Sequence, residues 1–284
     1  MLMTVGDIMQ KDLTLSFLNG FGFECDYRER GELLTYDSPL LGLHFIRDDS
    51  PLRDLCGFSY HDISAQTEST QVIRDTFFKS GPVGIQIDSY DVPWNKWYKK
   101  RHNLHYFIVR DIKKDIFVCR DYYLLDEDIE VSEHSLKKTL LVFAFKLQDL
   151  LAPKDEEGAT NYLKSILPGQ ELRRSHLSHF FSLLRKTEAV TKNEDIESSN
   201  LLFGISNIVW DRYNFAKALH MIGKLSEASV PMDLVKKDWA VLKQMLIKNY
   251  LLVKMGYRPL DLEDCFSAIS KSELACLNML WKLV

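Results

Sequence analysis

A histidine and an aspartate in the first half of the chain are spaced so that they could carry out proton transfer. His105 lies in an apolar run typical of a strand, and Asp121 directly follows the next such run. If a hairpin with its turn near Lys113 joins these strands, the two side chains lie across from each other, about 5 Å apart. A carboxylate at that distance accepts from an imidazole N–H and fixes the tautomer and orientation of a general base. The alternative interpretation is structural: a half-buried strand histidine and an aspartate that starts a turn.

The loop that follows the preceding strand carries a second set of candidate residues. It begins where that strand ends and is rich in aromatic and basic side chains. Long loops at strand ends often form the walls of pockets, so we expect substrate contacts here. The alternative is an Asx-type turn at the strand end, with the aromatic rings packed on the sheet. The candidate substrate-binding residues are Asp88, Ser89, Tyr90, Trp94, Trp97 and Tyr98.

Strand-type and helix-type patterns supply the elements that would position these residues. The runs before and after the short polar segment 111–114 should pair as an antiparallel hairpin. Ser132 is a plausible N-cap for a short helix. The pattern indicates an α+β fold with an antiparallel sheet. The predicted elements are a helix over 68–80, strands over 83–88, 104–110 and 115–120, a helix over 133–139 and a strand over 141–146.

The two halves of the chain differ in their hydrophobic periodicity. Residues 1–150 hold most of the strand-type runs, whereas 151–284 read as helices with polar connectors. We therefore predict a sheet-containing domain over 1–150 and an all-helical domain over 151–284. Residues predicted to share helical faces are Phe215, Leu219 and Ile222, then Leu234, Val241 and Met245, and finally Leu274, Leu277 and Trp281.

Composition and charge exclude several classes of protein. The 284 residues are 46% hydrophobic and 27% charged, as in an ordinary globular protein. The net charge of -4 gives no overall electrostatic footprint for nucleic acid or an anionic membrane, so neither partner is expected. No apolar stretch approaches the roughly 20 residues of a membrane-spanning helix. The N-terminus also lacks the features of a signal peptide, so we expect a cytoplasmic location.

The cysteines and glycines form no recognisable cofactor motif. Cys25, Cys56, Cys119, Cys265 and Cys276 include no C-x-x-C pair, so we expect five free thiols and no zinc or redox site. The glycine-rich motifs of nucleotide sites and the H-E-x-x-H motif of zinc hydrolases are also missing from the sequence. We expect neither a cofactor nor a metal.

Four segments of the first half resemble one known family. They are Gly81–Tyr90, Trp94–Tyr98, His102–Val109 and Cys119–Tyr123, and Phe17–Glu24 adds an aromatic-Gly-Phe segment upstream. Together they resemble the N-terminal domain of the butirosin-biosynthesis protein H type. That domain belongs to a papain-like group that includes the double-glycine leader peptidases of bacteriocin exporters. The resemblance covers roughly residues 1–147 through scattered motifs.

The resemblance implies that His105 and Asp121 are the second and third members of a Cys-His-Asp triad. It implies a thiol acyltransferase or amide-processing protein of bacterial peptide or aminoglycoside biosynthesis, with an acyl-carrier protein, a peptidyl-carrier protein or a peptide as partner. The family's nucleophilic Cys would fall before Met1, and Cys25, Cys56 and Cys119 do not match its position. We therefore expect this chain to show no thiol-dependent activity. The alternative is a pseudoenzyme that serves as a binding or accessory module.

Overall fold

The chain divides into two compact units in a computed structural model. The structure describes residues 8, 15, 17, 33–38, 52–53, 55–64, 69–100, 102–121, 124–125, 127–147, 156–192 and 196–284. One unit takes the described residues within Met1–Leu13 and Leu52–Pro153, and the other takes those within Thr14–Pro51 and Lys154–Val284.

A six-stranded antiparallel sheet is the centre of the first unit, with the spatial order β1-β6-β2-β3-β4-β5. The α+β class with an antiparallel sheet is thus confirmed. The strands are β1 (Phe58–Ser64), β2 (Val83–Asp88), β3 (Leu104–Lys113), β4 (Ile116–Arg120), β5 (Asp128–Ser132) and β6 (Leu141–Leu147), and the helices are α1 (Ser69–Ser80) and α2 (Glu133–Leu136).

Both faces of the sheet are covered, which explains why its central strands are apolar on both sides. On one face, Ile73 of α1 packs into a cluster with Ile85, Phe107 and Phe117. On the other face, Phe58 and Phe145 pack together with their ring centroids 5.5 Å apart. The first five residues of β2 are all buried because this strand lies in the middle of the sheet. β2 is therefore a rigid support for the loop that follows it.

The β3–β4 hairpin is longer and tighter than the sequence predicted. Lys113 pairs with Ile116, so the turn is Lys114-Asp115, and Lys114 adopts a left-handed φ of 56°. A bulge between Val109 and Asp111 then shifts the register, and Ile108 pairs with Arg120. A bulge adds one unpaired residue to its strand. Because the turn lies at Lys114-Asp115 and not at Lys113, Asp121 is not directly opposite His105; the bulge brings the end of β4 one residue closer to His105.

The second unit is built from helices. They are α3 (Glu156–Ile166), α4 (Gly169–Arg185), α5 (Asn200–Met221), α6 (Ser229–Lys254) and α7 (Glu263–Leu283). Within the described ranges, no helix combines the length and the apolar character needed to cross a membrane.

A short segment from the N-terminal part of the chain packs with these helices. Tyr36 N–H donates to Val190 O at 3.0 Å, and the Tyr36 hydroxyl donates to Leu246 O at 3.0 Å. Thr35 also forms a parallel bridge with Glu188. The predicted first domain of 1–150 included residues 33–38, whereas these backbone contacts and the buried Tyr36 ring hold the segment in the helical unit.

The buried helical faces follow the prediction only in part. Phe215, Leu219 and Ile222 are buried as expected. In α6, however, Leu234 and Val241 are 50% and 44% exposed. The buried face of α6 instead contains Met232, Val235, Trp239, Leu242 and Leu246; in α7, Leu277 is buried while Leu274 and Trp281 are 38% and 45% exposed. The large Trp239 ring, and not the predicted face of Leu234, Val241 and Met245, marks the side of α6 that packs inward.

The packing of α1 on the sheet gives a stability prediction. Ile73→Ala should lower the free energy of unfolding by about 2–5 kcal/mol, because it removes a fully buried side chain and leaves a cavity. Phe78→Ala on the same helix is the matched control, since Phe78 is 73% exposed and its loss should cost under about 0.5 kcal/mol. Hydrogen exchange of β2 and β3 peptides measures the loss in free energy of unfolding for each variant. Equal effects of the two variants would refute this packing.

Candidate active site

Three neighbouring strands bring polar side chains to one end of the sheet. β2 ends at Asp88, β3 starts at Leu104, and β4 ends at Arg120, immediately before Asp121. Because β2 and β4 both run antiparallel to β3, these three termini lie at the same end. Ile87, one residue before the end of β2, pairs with His105. The histidine therefore lies beside the start of the aromatic loop.

His105 and Asp121 form a buried hydrogen-bonded pair at this end of the sheet. His105 Nε2 lies 2.7 Å from Asp121 Oδ2, and the two residues are 8% and 1% exposed. An ionised carboxylate can only accept, so the neutral imidazole donates from Nε2 and carries its lone pair on Nδ1. Nδ1 has no hydrogen-bond partner among the described residues. The contact expected between these side chains is present, and it leaves one ring nitrogen able to accept a proton.

Trp94 is a third member of the cluster, with a contact that the sequence did not reveal. Its indole Nε1–H donates to Asp121 Oδ2 at 2.8 Å, so this oxygen accepts two hydrogen bonds. The Trp94 ring also meets Phe107 edge to face at 5.3 Å, and Phe107 lies 6.0 Å from the His105 ring. The sequence predicted Trp94 as a substrate contact, whereas its polar group is directed at the carboxylate.

Asp88 holds the base of the aromatic loop. Its Oδ1 accepts from the backbone N–H groups of Tyr90 and Asn103 at 2.9 and 3.3 Å, and its Oδ2 lies 2.7 Å from His102 Nδ1. Ser89 N–H donates to Asn103 O at 2.7 Å, which closes the loop. Burial alone would raise the pKa of Asp88, but the Tyr90 amide and the His102 ring outweigh it and lower that pKa.

These contacts favour the structural alternative for Asp88 and Ser89, because both residues are engaged in fixing the loop. Ser89 is 1% exposed, which argues against its side chain as a substrate contact. His102 was not among the candidate residues predicted from the sequence. Asp88 pairs with Leu104 at the strand ends, so His102, two residues before Leu104, lies close to Asp88.

The outer part of the loop presents aromatic rings next to cations. The Tyr90 ring stacks on His102 at 4.5 Å, and Lys99 Nζ lies 4.6 Å from the same ring. Lys96 Nζ lies 4.7 Å from the Trp97 ring. Tyr98 is 39% exposed. Tyr90, Trp97 and Tyr98 therefore form a surface of rings and amines, and nothing in the described residues brings them into contact with His105.

The described thiols of the sheet unit, Cys56 and Cys119, are not placed to act with His105. Cys119 is fully buried in the core, and burial, followed by the charge of Asp121, raises the pKa of its thiol. Cys56 packs beside the cluster on the opposite sheet face from Phe107. In the helical unit, burial raises the pKa values of Cys265 and Cys276. Cys25 lies outside the described residues. A low-pKa thiolate requires a more polar setting than the buried sites of Cys119 and Cys276 provide.

The described part of the chain contains no group of three or more metal-ligating side chains. Comparison of the sequence with models of known protein families gave no match. Comparison with curated proteins gave no match either.

The geometry predicts the tautomer of His105. At a pH where the ring is neutral, nitrogen NMR of the imidazole should show the proton on Nε2, because Asp121 Oδ2 is its acceptor. Asp121→Asn should keep this form, since the Trp94 N–H also requires a carbonyl oxygen at the same position. Asp121→Leu should give a mixture of tautomers. A majority of the Nδ1–H form in the unmodified protein would contradict the assignment.

Asp88 should stabilise the loop in a pH-dependent manner. Because its pKa is lowered in the folded chain, its contribution is present above the ordinary carboxyl pKa of about 4 and is lost as the pH falls through the lowered value. Asp88→Ala should speed exchange of the Tyr90 and Asn103 amides at neutral pH. Asp62→Ala, at an exposed aspartate on β1, is the control and should leave both amides protected. Unchanged protection in Asp88→Ala would show that Asp88 does not hold the base of the aromatic loop.

Proposed function

We propose that the sheet unit is a papain-like domain that performs acyl transfer or amide processing, with His105 as general base. The observation that carries this proposal is the buried His105–Asp121 pair with its 2.7 Å hydrogen bond and its unpartnered Nδ1 among the described residues. A carboxylate that accepts a hydrogen bond from one imidazole nitrogen fixes the ring, so that the other nitrogen can take a proton. The antiparallel sheet and the family resemblance of segments 81–90, 94–98, 102–109 and 119–123 give further support.

In the proposed reaction, the nucleophile is a cysteine other than the described Cys56 and Cys119, and His105 Nδ1 takes its thiol proton as the sulfur attacks the carbonyl carbon of a thioester or amide. The resulting tetrahedral intermediate collapses, and the bond to the leaving thiol or amine breaks. The imidazolium returns its proton to that leaving group. An amine or water then attacks the acyl-enzyme and loses its proton to His105, which passes that proton to the departing cysteine sulfur. Asp121 keeps the imidazole oriented and balances its charge in the protonated steps.

We propose an acyl-carrier protein, a peptidyl-carrier protein or a peptide from bacterial natural-product biosynthesis as the partner. The loop surface of Tyr90, Trp97 and Tyr98 supports this choice because its rings lie beside Lys96 and Lys99. Rings and amines together suit an acidic partner surface. Asp91 balances part of this charge, since Lys99 and Lys138 lie 3.1 and 2.9 Å from its Oδ1.

The second candidate function is a binding or accessory module with the same His105–Asp121 pair and no nucleophile. The buried position of Cys119 favours it, because that thiol is the one closest in sequence to Asp121 and is enclosed in the core. In this case the His105–Asp121 pair would orient a bound acyl or amide group without covalent chemistry.

Intact-mass measurements on the purified chain separate the two functions. The chain is incubated with acyl thioesters of a carrier protein and of a small thiol. Acyl transfer predicts a covalent acyl adduct or released product, and His105→Gln should lower the rate at least about a thousandfold. His134→Gln, at an exposed histidine, is the control and should stay within about twofold. Turnover that survives in His105→Gln would reject the proposed base.

The same experiment identifies the nucleophile or its absence. Iodoacetamide labelling and peptide mapping report which of the five cysteines reacts first. A labelled cysteine whose modification abolishes turnover supports acyl transfer. Binding of the carrier protein without any adduct, product or fast-reacting cysteine supports the accessory module and rejects acyl transfer by this chain.

A further inference from the structure

We infer that Trp94 is a positioning residue for the His105–Asp121 pair, and that it acts through the carboxylate of Asp121. This inference rests on the proposed function for its catalytic meaning, although the physical coupling can be tested without turnover. The indole N–H of Trp94 does not bond to His105; it donates to Asp121 Oδ2, the oxygen that also accepts from His105.

The hydrogen bonds to Asp121 show why Trp94 matters. Oδ2 receives Trp94 Nε1–H at 2.8 Å and His105 Nε2 at 2.7 Å. Oδ1 is buried, and no described residue donates to it. The direction of the carboxylate is therefore set by two N–H groups on one oxygen. Without the indole N–H, the histidine alone would hold a carboxylate that is 1% exposed.

The residues before and after Trp94 in the sequence are held in place, and so is its ring. Val92 is 1% exposed and its carbonyl accepts from Asn95 N–H at 3.0 Å, which folds the chain tightly around Trp94. Asn95 is 7% exposed, and its Oδ1 accepts from Trp97 N–H at 2.9 Å. Packing on Phe107 fixes the plane of the indole. The donor therefore comes from a rigid frame and not from a freely rotating side chain.

Two donors on one oxygen are coupled to each other. When His105 takes up a proton, its Nε2–H becomes a charged donor and draws more electron density from Oδ2. The indole bond to the same oxygen must then weaken. A purely structural tryptophan, held by ring packing alone, would not respond to the charge of His105.

The test is the indole N–H resonance of Trp94 in proton–nitrogen spectra of the full chain, which has five tryptophans. The resonance is assigned by its loss in Trp94→Phe. During a pH titration of the unmodified protein, we expect it to move with the same midpoint as the ring protons of His105. The indole of Trp210, which is 56% exposed, should not move with that midpoint. A Trp94 resonance that stays fixed throughout the His105 titration would overturn the inference.

Variants provide a second arm. His105→Gln should abolish the pH-dependent movement, and Asp121→Asn should speed exchange of the indole proton at least about tenfold, since the bond to a charged acceptor is lost. Where turnover is present, Trp94→Phe should lower kcat about tenfold with KM unchanged, because the effect acts on the base and not on substrate binding. Trp210→Phe is the matched control and should keep both parameters. Unchanged kcat in Trp94→Phe would overturn the positioning role.

The outcomes separate this inference from the proposed function. Coupled titration of Trp94 and His105 without any turnover supports the positioning network and counts against acyl transfer. Turnover that depends on His105, with an indole that does not respond to it, supports acyl transfer and overturns the role of Trp94.

Discussion

A single buried carboxylate oxygen, Asp121 Oδ2, joins the parts of the candidate site. An ionised carboxylate out of contact with water is costly unless hydrogen bonds compensate it. Here the compensation comes from a strand residue, His105, and from a loop residue, Trp94. The strand must start at the right register, and the loop must return to the sheet, for both donors to reach the same atom. The bulge in β3 adjusts the register of the strand, and the hydrogen bond of Asp88 to the Tyr90 amide holds the base of the loop.

The sequence predicted the central elements of the sheet better than its edges. α1, β2, β3, β4 and β6 were all expected within a few residues of their observed bounds. β1 and β5 were missed, and both lie at the two edges of the sheet. Edge strands carry charged and polar residues that resist pairing with other chains, which weakens the apolar pattern that identifies a strand. His61 and Asp62 in β1 and Glu130 in β5 are examples.

In the candidate site, only the contact between residues of neighbouring strands could be predicted from the sequence. The contact of His105 with Asp121 follows from a hairpin, whose two strands are adjacent in sequence and pair by necessity. The Trp94 contact depends on how a 3-10 turn at Ser89–Asp91 and the residues after it fold, and no periodic pattern records this. In the helical unit, the spacing of Leu234 and Val241 predicted the wrong face of α6. Burial of Trp239 and its hydrogen bond to Glu273 determine how that helix is oriented.

The most direct test of the central claim, that His105, Asp121 and Trp94 form one interacting unit, is a double-mutant cycle. Trp94→Phe, His105→Gln and the double variant are compared by the opening free energies of β3 and β4 amides in native-state hydrogen exchange. Residues that share one acceptor should be coupled by about 0.5–3 kcal/mol. Effects of the two substitutions that add to within about 0.3 kcal/mol would contradict the account, since independent sites behave in that way.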